Sequence, residues 1–391
     1  MGQQQPREAP TVPRYGQRSL AEVLPSVLAG LGVTGSPNPL HVPESRGVCL
    51  LLVDGLGSEL LQTYPADAPF LAALADGQEP LTAGFPSTTA TSIASLGTGV
   101  APGQHGIVGY TFAPAPYDRL LNALTWREHG VNKPADLRES FVPEHVQPLR
   151  TALQVATDAG VQVTVAAPGV QRDSGLTREV LRGRHFRAVH TAGDLGARVL
   201  AALACGEQAL CYAYYGDLDL VGHARGPGSP AWRMQLSLVD HLVAAIAERL
   251  PTDCRLAVVA DHGMVSMGED DRVDYDQLPA LQDGVRLLGG EVRARHVYAV
   301  PGAQDAVLGT WRELLGERAW VLTREEAVAA GWFGPRVVER VCQRIGDVVV
   351  AARGKHGVIR SRAHPMESRL VGHHGSLTGA EQLVPFLLAG G

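Results

Sequence analysis

Carboxylates, imidazoles and one hydroxyl recur at segment boundaries of this chain: Asp54, Thr89, Asp219 with His223, Asp261 with His262, and the adjacent pair His373-His374. Mixed Asp and His donors without thiolate suit zinc and also accept manganese or iron. Two such cations beside an alcohol make a phosphoryl-transfer site, because they polarise a phosphoryl oxygen and activate a nucleophile that is feeble alone. Each block follows or opens an apolar or glycine-rich stretch, where the carboxyl edge of a sheet presents reactive groups.

Taken singly, every block has a plainer explanation. Asp54 ends the apolar run Val48 to Val53 and is compatible with a turn or helix cap. The Gly55-Leu56-Gly57 that follows lacks the third glycine of a dinucleotide loop, since Leu60 stands there. Pro86-Ser87-Thr88-Thr89 leads into a small-residue helical run ending at Gly97 and Gly99. A hydroxyl at such a helix start faces free N–H groups that favour an anion, yet Ser and Thr are also ordinary caps. Asp219 and His223 are four apart, so a helical turn lets both face one cation. Asp217 is a neighbouring alternative without that spacing. Asp261-His262-Gly263-Met264 follows the apolar run Leu256 to Ala260, and Gly372-His373-His374-Gly375 offers two imidazoles between which residue type does not choose. Chance turns do not account readily for all these blocks in order.

The elements that would position them are short continuous apolar runs: Val48 to Val53, Val161 to Ala166, Ala209 to Tyr215 and Leu256 to Ala260. Such runs read as strands buried on both faces. Helical stretches lie between them at Leu149 to Ala159, Ala192 to Ala204 and Trp232 to Leu250, and a further helix is expected over Ser19 to Val33 behind a Ser19/Glu22 capping box. The alternation predicts an α/β fold with a doubly wound, mostly parallel sheet. From Val285 to Ser361 the pattern changes to a strand at Ala294 to Val300, helices at Ala306 to Leu315 and Pro335 to Ile345, and a strand at Asp347 to Ala351. The expected organisation is a flexible leader over 1–18, a catalytic domain over 19–284 and 362–391, and a small α+β cap inserted at 285–361.

With 391 residues there is enough chain for a large core. The net charge of −6 with scattered Lys and Arg argues against a polymeric nucleic acid, though not against a nucleotide. Cys49, Cys205, Cys211, Cys254 and Cys342 show no CxxC spacing and read as thiols in a reducing compartment. Neither a signal-peptide core nor an apolar run of about 18 residues is present, so a cytoplasmic protein without a membrane partner is expected.

From Val48 to Phe386 the chain resembles the alkaline phosphatase superfamily, in particular its nucleotide pyrophosphatase/phosphodiesterase branch. Pro86, Thr89 and Thr98-Gly99 match the spacing around that branch's nucleophilic threonine, and His105-Gly106-Ile107 matches its downstream His-Gly-Ile. Asp219 to Pro227, Asp261 to Met264 and Gly372 to Gly375 match its remaining motifs, and the last match selects His374 over His373. The resemblance implies an alkaline-phosphatase-like fold and two zinc ions, one held by Asp219, His223 and His374 and the other by Asp54, Asp261 and His262. Thr89 would stand between them and pass through a phosphothreonine intermediate, with a small-molecule phosphoester as substrate.

Two positions depart from the branch. Ala90-Thr91-Ser92 replaces its Phe-Pro-Asn, and Tyr110 stands where it has an asparagine that binds a phosphoryl oxygen. Tyr110 is therefore the expected donor to substrate. Alternatives on the same scaffold are a phosphomonoesterase, a phosphonate hydrolase, a phosphosugar mutase or a metal-binding relative without turnover. A sulfatase is disfavoured because no Cys/Ser-x-Pro-x-Arg stretch is present. Lys355, His356 and Trp126 are candidate substrate contacts, each with a surface or packing role as the simpler reading.

Overall fold

A computed structural model describes residues 8–114, 118–183 and 185–390. The principal strands are β1 (Gly47–Val53), β2 (Gln162–Pro168), β3 (His185–Val189), β4 (Ala209–Tyr215), β5 (Cys254–Val259), β6 (Val285–Glu291), β7 (Ala294–Ala299), β8 (Ala319–Thr323), β9 (Val348–Ala352) and β10 (Phe386–Gly390). A six-stranded sheet has the order β10-β5-β1-β4-β2-β3, parallel throughout except for β10, which closes one edge antiparallel to β5. The mixed α/β architecture with a mostly parallel sheet agrees with the sequence reading.

All seven residues of β1 are buried, as a central strand covered on both faces requires. Helix α1 (Thr89–Thr98) follows the small-residue run after Pro86, α2 (Ala192–Leu203) and α4 (Pro230–Ala247) follow expected periodic stretches, and between the latter two α3 (Asp217–Arg225) supplies the helical turn that the Asp219/His223 spacing needs. Ser229 caps α4 by accepting from Trp232 N, and Pro230 fills the first turn, where its missing N–H leaves no bond unmade. The Ser19/Glu22 box is present, but it caps a short 3-10 turn that passes into a helix over Val23–Gly30. The helix expected over Pro335 to Ile345 reduces to one turn at Glu339–Cys342.

From β6 to β9 the chain forms a second, fully antiparallel sheet in the order β6-β7-β9-β8, with helix α5 (Gln304–Leu315) packed on β8 and β9. Its small core includes Leu288, Val297, Trp311, Val321 and Val350. The buried ion pair Arg293–Glu381, 2.5 Å between Nη2 and Oε2, ties this unit to the segment before β10, and Glu381 also accepts from Ser376 N and Thr378 Oγ1. A three-stranded meander, Thr111–Phe112, Leu120–Asn122 and Arg127–His129, lies beside β6.

Of the expected leader, residues 1–7 fall outside the described residues. Residues 8–18 differ from a loose leader in being bonded to the domain. Thr11 N donates to Leu377 O, Arg14 N to Thr82 Oγ1, and the Tyr15 hydroxyl donates to Trp332 O while accepting from Phe85 N. The described cysteines are free, and no helix among the described residues is long and apolar enough to cross a membrane.

Candidate metal centre and nucleophile

Register explains how distant residues meet. β1 and β5 are paired so that Leu52 lies beside Val259, which brings Asp54 and Asp261 out together beyond the carboxyl ends of neighbouring strands. β4, on the other side of β1, runs directly into α3, whose first turn carries Asp219 and whose last carries His223. Gly55 makes the tight exit after Asp54 at φ +77°, and a Cβ there would stand 3.1 Å from that of Asp219. Val265 pairs with His373, which returns the chain beside Asp261 and places His374 over the same edge. Thr89 opens α1 on the opposite side, where Ser87 Oγ donates to Ser376 O and locks the two segments together.

Two donor clusters result, Asp54 with Asp261 and His262, and Asp219 with His223 and His374. His262 Nε2 lies 3.3 Å from Asp54 Oδ1, 3.5 Å from Asp261 Oδ2 and 3.3 Å from Thr89 Oγ1. His223 Nε2 lies 3.4 Å from Asp219 Oδ2 and 3.2 Å from His374 Nε2. In all three imidazoles Nδ1 faces a main-chain carbonyl: Gly263 O at 3.1 Å for His262, Gly372 O at 2.7 Å for His223 and Ser87 O at 3.0 Å for His374. A carbonyl only accepts, so each Nδ1 carries the proton and each Nε2 turns a lone pair inward.

The carboxylates are equally under-served. Asp54 Oδ1, Asp219 Oδ1 and Asp261 Oδ2 are buried without a hydrogen-bond partner. Burial pushes the Asp54 carboxyl well above its usual range, with Asp261 adding to the rise, and pushes Asp219 and Asp261 up to about 7. Burial holds His262 down at about 3, in the neutral form that coordinates. Inward lone pairs facing orphaned carboxylate oxygens are a poor arrangement for protein alone and a good one for divalent cations, so the donor set fits the expected ions.

Thr89 is the partly exposed member of a buried stretch. It lines a cavity of about 290 Å³ shared with Tyr110, Leu124, Glu291 and Glu367, and a second of about 600 Å³ shared with Arg127, Arg138, Leu176, Tyr212 and Tyr214. Tyr110 thus reaches the cavity as expected; its phenol is pushed up to about 12 by burial, which keeps it a neutral donor. Asp217 is exposed and outside the clusters, and His373 directs Nε2 to Leu370 O. The other candidate contacts are placed differently. Trp126 is fully buried with Nε1 bonded to Phe141 O, Lys355 is exposed, and His356 lies by Asp271.

Sequence reasoning missed Tyr214 and Glu291. The Tyr214 hydroxyl lies 2.5 Å from Asp54 Oδ2; its position at the end of β4 was the available signal. Glu291 ends β6, lines the smaller cavity with Oε1 unpartnered, and is pushed up to about 8 by burial. Nothing in its neighbourhood of sequence marks it.

The sequence model of the type I phosphodiesterase / nucleotide pyrophosphatase family matches residues 48–377. Human ectonucleotide pyrophosphatase/phosphodiesterase family member 7 is 26% identical over 283 residues, 67% of this chain and 58% of that protein. A phosphopentomutase of Anaeromyxobacter dehalogenans is 29% identical over 164 residues, 41% of this chain and 39% of that one. A shorter match, 36% over 64 residues, links 16% of the chain to 6% of the human GPI ethanolamine phosphate transferase 3 catalytic subunit. The chain thus spans between 6% and 58% of the lengths of these relatives. Among solved structures, murine ectonucleotide pyrophosphatase/phosphodiesterase 5, as an inactive variant in complex with AMP, superposes with a TM-score of 0.68 at 18% identity, covering 88% of this chain and 87% of that one. Phosphonoacetate hydrolase from Sinorhizobium meliloti 1021, in complex with phosphonoformate, gives 0.64 at 19%, covering 88% and 90%. At these identities the likeness is one of fold.

Proposed function

The chain belongs to the type I phosphodiesterase / nucleotide pyrophosphatase family of phosphoester hydrolases, and from that premise we propose that it cleaves a small-molecule phosphodiester, with nucleotides as the leading class, through a covalent phosphothreonine at Thr89. The observation that supports the reading is the 3.3 Å approach of His262 Nε2 to the Thr89 hydroxyl, together with a cavity that Thr89 shares with Asp219, His223 and His374 and the orphaned carboxylate oxygens of the two clusters.

Asp54, Asp261 and His262 would hold one divalent cation and Asp219, His223 and His374 the other, with zinc suited to the donors. When bound, the pair supplies Lewis-acid polarisation of the phosphoryl group and eases ionisation of the alcohol. Thr89 Oγ, having lost its proton, forms the bond to phosphorus as the bond to the leaving oxygen breaks, and the leaving group is protonated by solvent. Water then cleaves the phosphothreonine and restores the hydroxyl. The free N–H groups of the first turn of α1 and the neutral phenol of Tyr110 donate to phosphoryl oxygens, which carry more charge in the transition state than before it.

A diester carries two substituents on phosphorus, and the two cavities meeting at Thr89 support this choice over a monoester by offering each substituent a place. Thr89→Ala tests the reading. It should keep its zinc content by elemental analysis while hydrolysis of a bis-aryl phosphate falls at least about a thousandfold. Full activity in that variant refutes the nucleophile, and faster cleavage of mono-aryl phosphate than of the diester by the parent protein refutes the diester assignment.

A further inference from the structure

A third group of donors reaches the smaller cavity through one of its members, Glu367, and takes no part in the proposed reaction. His129 ends the last strand of the meander, while His364 and Glu367 come from the turn before β10, some distance along the chain. One donor atom from each lies within 4.8 Å of the others. The His364 side chain is only 8% exposed, yet neither of its ring nitrogens has a hydrogen-bond partner. Its Nδ1 stands 3.4 Å from Glu367 Oε2, close to the spacing of about 3.4 Å between donors around a tetrahedral ion with bonds of about 2.1 Å. The imidazoles of His129 and His364 meet edge to face with centroids 4.3 Å apart, and the His129 and Tyr110 rings are likewise edge to face at 5.7 Å.

We propose that His129, His364 and Glu367 form a third divalent-metal site, of zinc type, that binds an ion independently of the two clusters beside Thr89. Two imidazoles and one carboxylate are a zinc-type donor set and leave a fourth position open, as in sites that keep a water or take a ligand. A simple ion pair between His364 and Glu367 would occupy Nδ1 alone and leave Nε2 buried and unmatched. Because Glu367 also lines the cavity, an ion held there fastens the meander to the returning chain and makes the wall that carries Tyr110 one piece.

The test is a metal count on the full chain. Protein stripped with chelator, dialysed against buffered zinc and freed of excess is analysed for zinc per chain, alongside His364→Ala and Glu367→Gln, each checked for native circular dichroism. The site requires that the parent hold one equivalent more than either variant. A parent count of three falling to two supports both this site and the catalytic pair, and one falling to zero supports this site while removing that pair. Equal counts in parent and variants overturn the third site and leave the catalytic reading untouched. Cobalt titration gives a second measure: His129→Asn should reach a lower visible absorbance at saturation than the parent and saturate one equivalent earlier, and an unchanged titration in that variant overturns the assignment.

Discussion

Replacing Tyr214 by phenylalanine should weaken the ion held by Asp54, Asp261 and His262 without unfolding the protein. The phenol stays protonated, since burial pushes it well above its usual range, so its 2.5 Å contact with Asp54 Oδ2 is a donated hydrogen bond. In the metal-free fold burial drives Asp54 toward the protonated form, and donation from Tyr214 opposes that. Coordination requires the ionised carboxylate. The bond is therefore stronger in the loaded state, and a hydrogen bond to a charged group contributes about 1.5–3 kcal/mol. At about 1.4 kcal/mol per decade, zinc affinity should fall about ten- to 150-fold. Competition with a chromophoric chelator at pH 7.5 measures this directly, and excess zinc should restore hydrolysis. Equal affinities in the two proteins would refute the argument, because they would show that ionisation of Asp54 is not linked to binding.

Zinc affinity should also depend on pH with a defined sign. Asp219 and Asp261, raised to about 7 from 3.8 by burial, carry protons in the metal-free fold below that point and must release them to bind. Affinity should drop about tenfold per pH unit for each carboxylate as pH falls below about 7 and level off above it, as read by chelator competition from pH 5.5 to 8.5. The same raised values stabilise the metal-free fold fully below about 3.8 and lose that contribution as pH rises through about 7. The rise in melting temperature on adding zinc should accordingly widen between pH 6 and 8, and a constant difference would contradict it. Glu381→Ala strands the buried Arg293 guanidinium and should cost about 3–5 kcal/mol in urea denaturation; a loss below about 1 kcal/mol would show the pair is not structural. Gly263→Ala would put a Cβ 2.0 Å from Ala380 O and 3.0 Å from Gly57 Cα, both main chain. The adjacent His262 must move, so this variant should lose one zinc equivalent by elemental analysis, and an unchanged count would refute the crowding argument.

The fold was legible where burial imposed a pattern. β1 is apolar for its whole length and β4 and β5 nearly so because both faces are covered, and Asp54 and Asp261 stood out as carboxylates just past such runs. β3 and β6 escaped because an edge strand and a half-exposed cap strand alternate weakly. The α3 spacing of Asp219 and His223 survived translation into structure because four residues is close to one helical turn. Partners supplied across the sheet, such as Tyr214 for Asp54, carry no sequence spacing at all, since parallel pairing joins residues 160 positions apart. The meander and the turn that bring His129 to His364 were invisible for the same reason: their proximity is a product of tertiary packing between segments far apart in sequence.

The late position of His374 has a consequence for how the two clusters are laid out along the chain. The stretch up to residue 262 already contains every donor of the cluster beside β1, whereas its neighbour needs His374, which follows the whole second sheet in the sequence. The closing strand β10 then pairs with β5 and locks the edge. The two donor sets are thus completed at different points along the chain: a fragment truncated before His374 would keep every ligand atom of the first and lack one of the second.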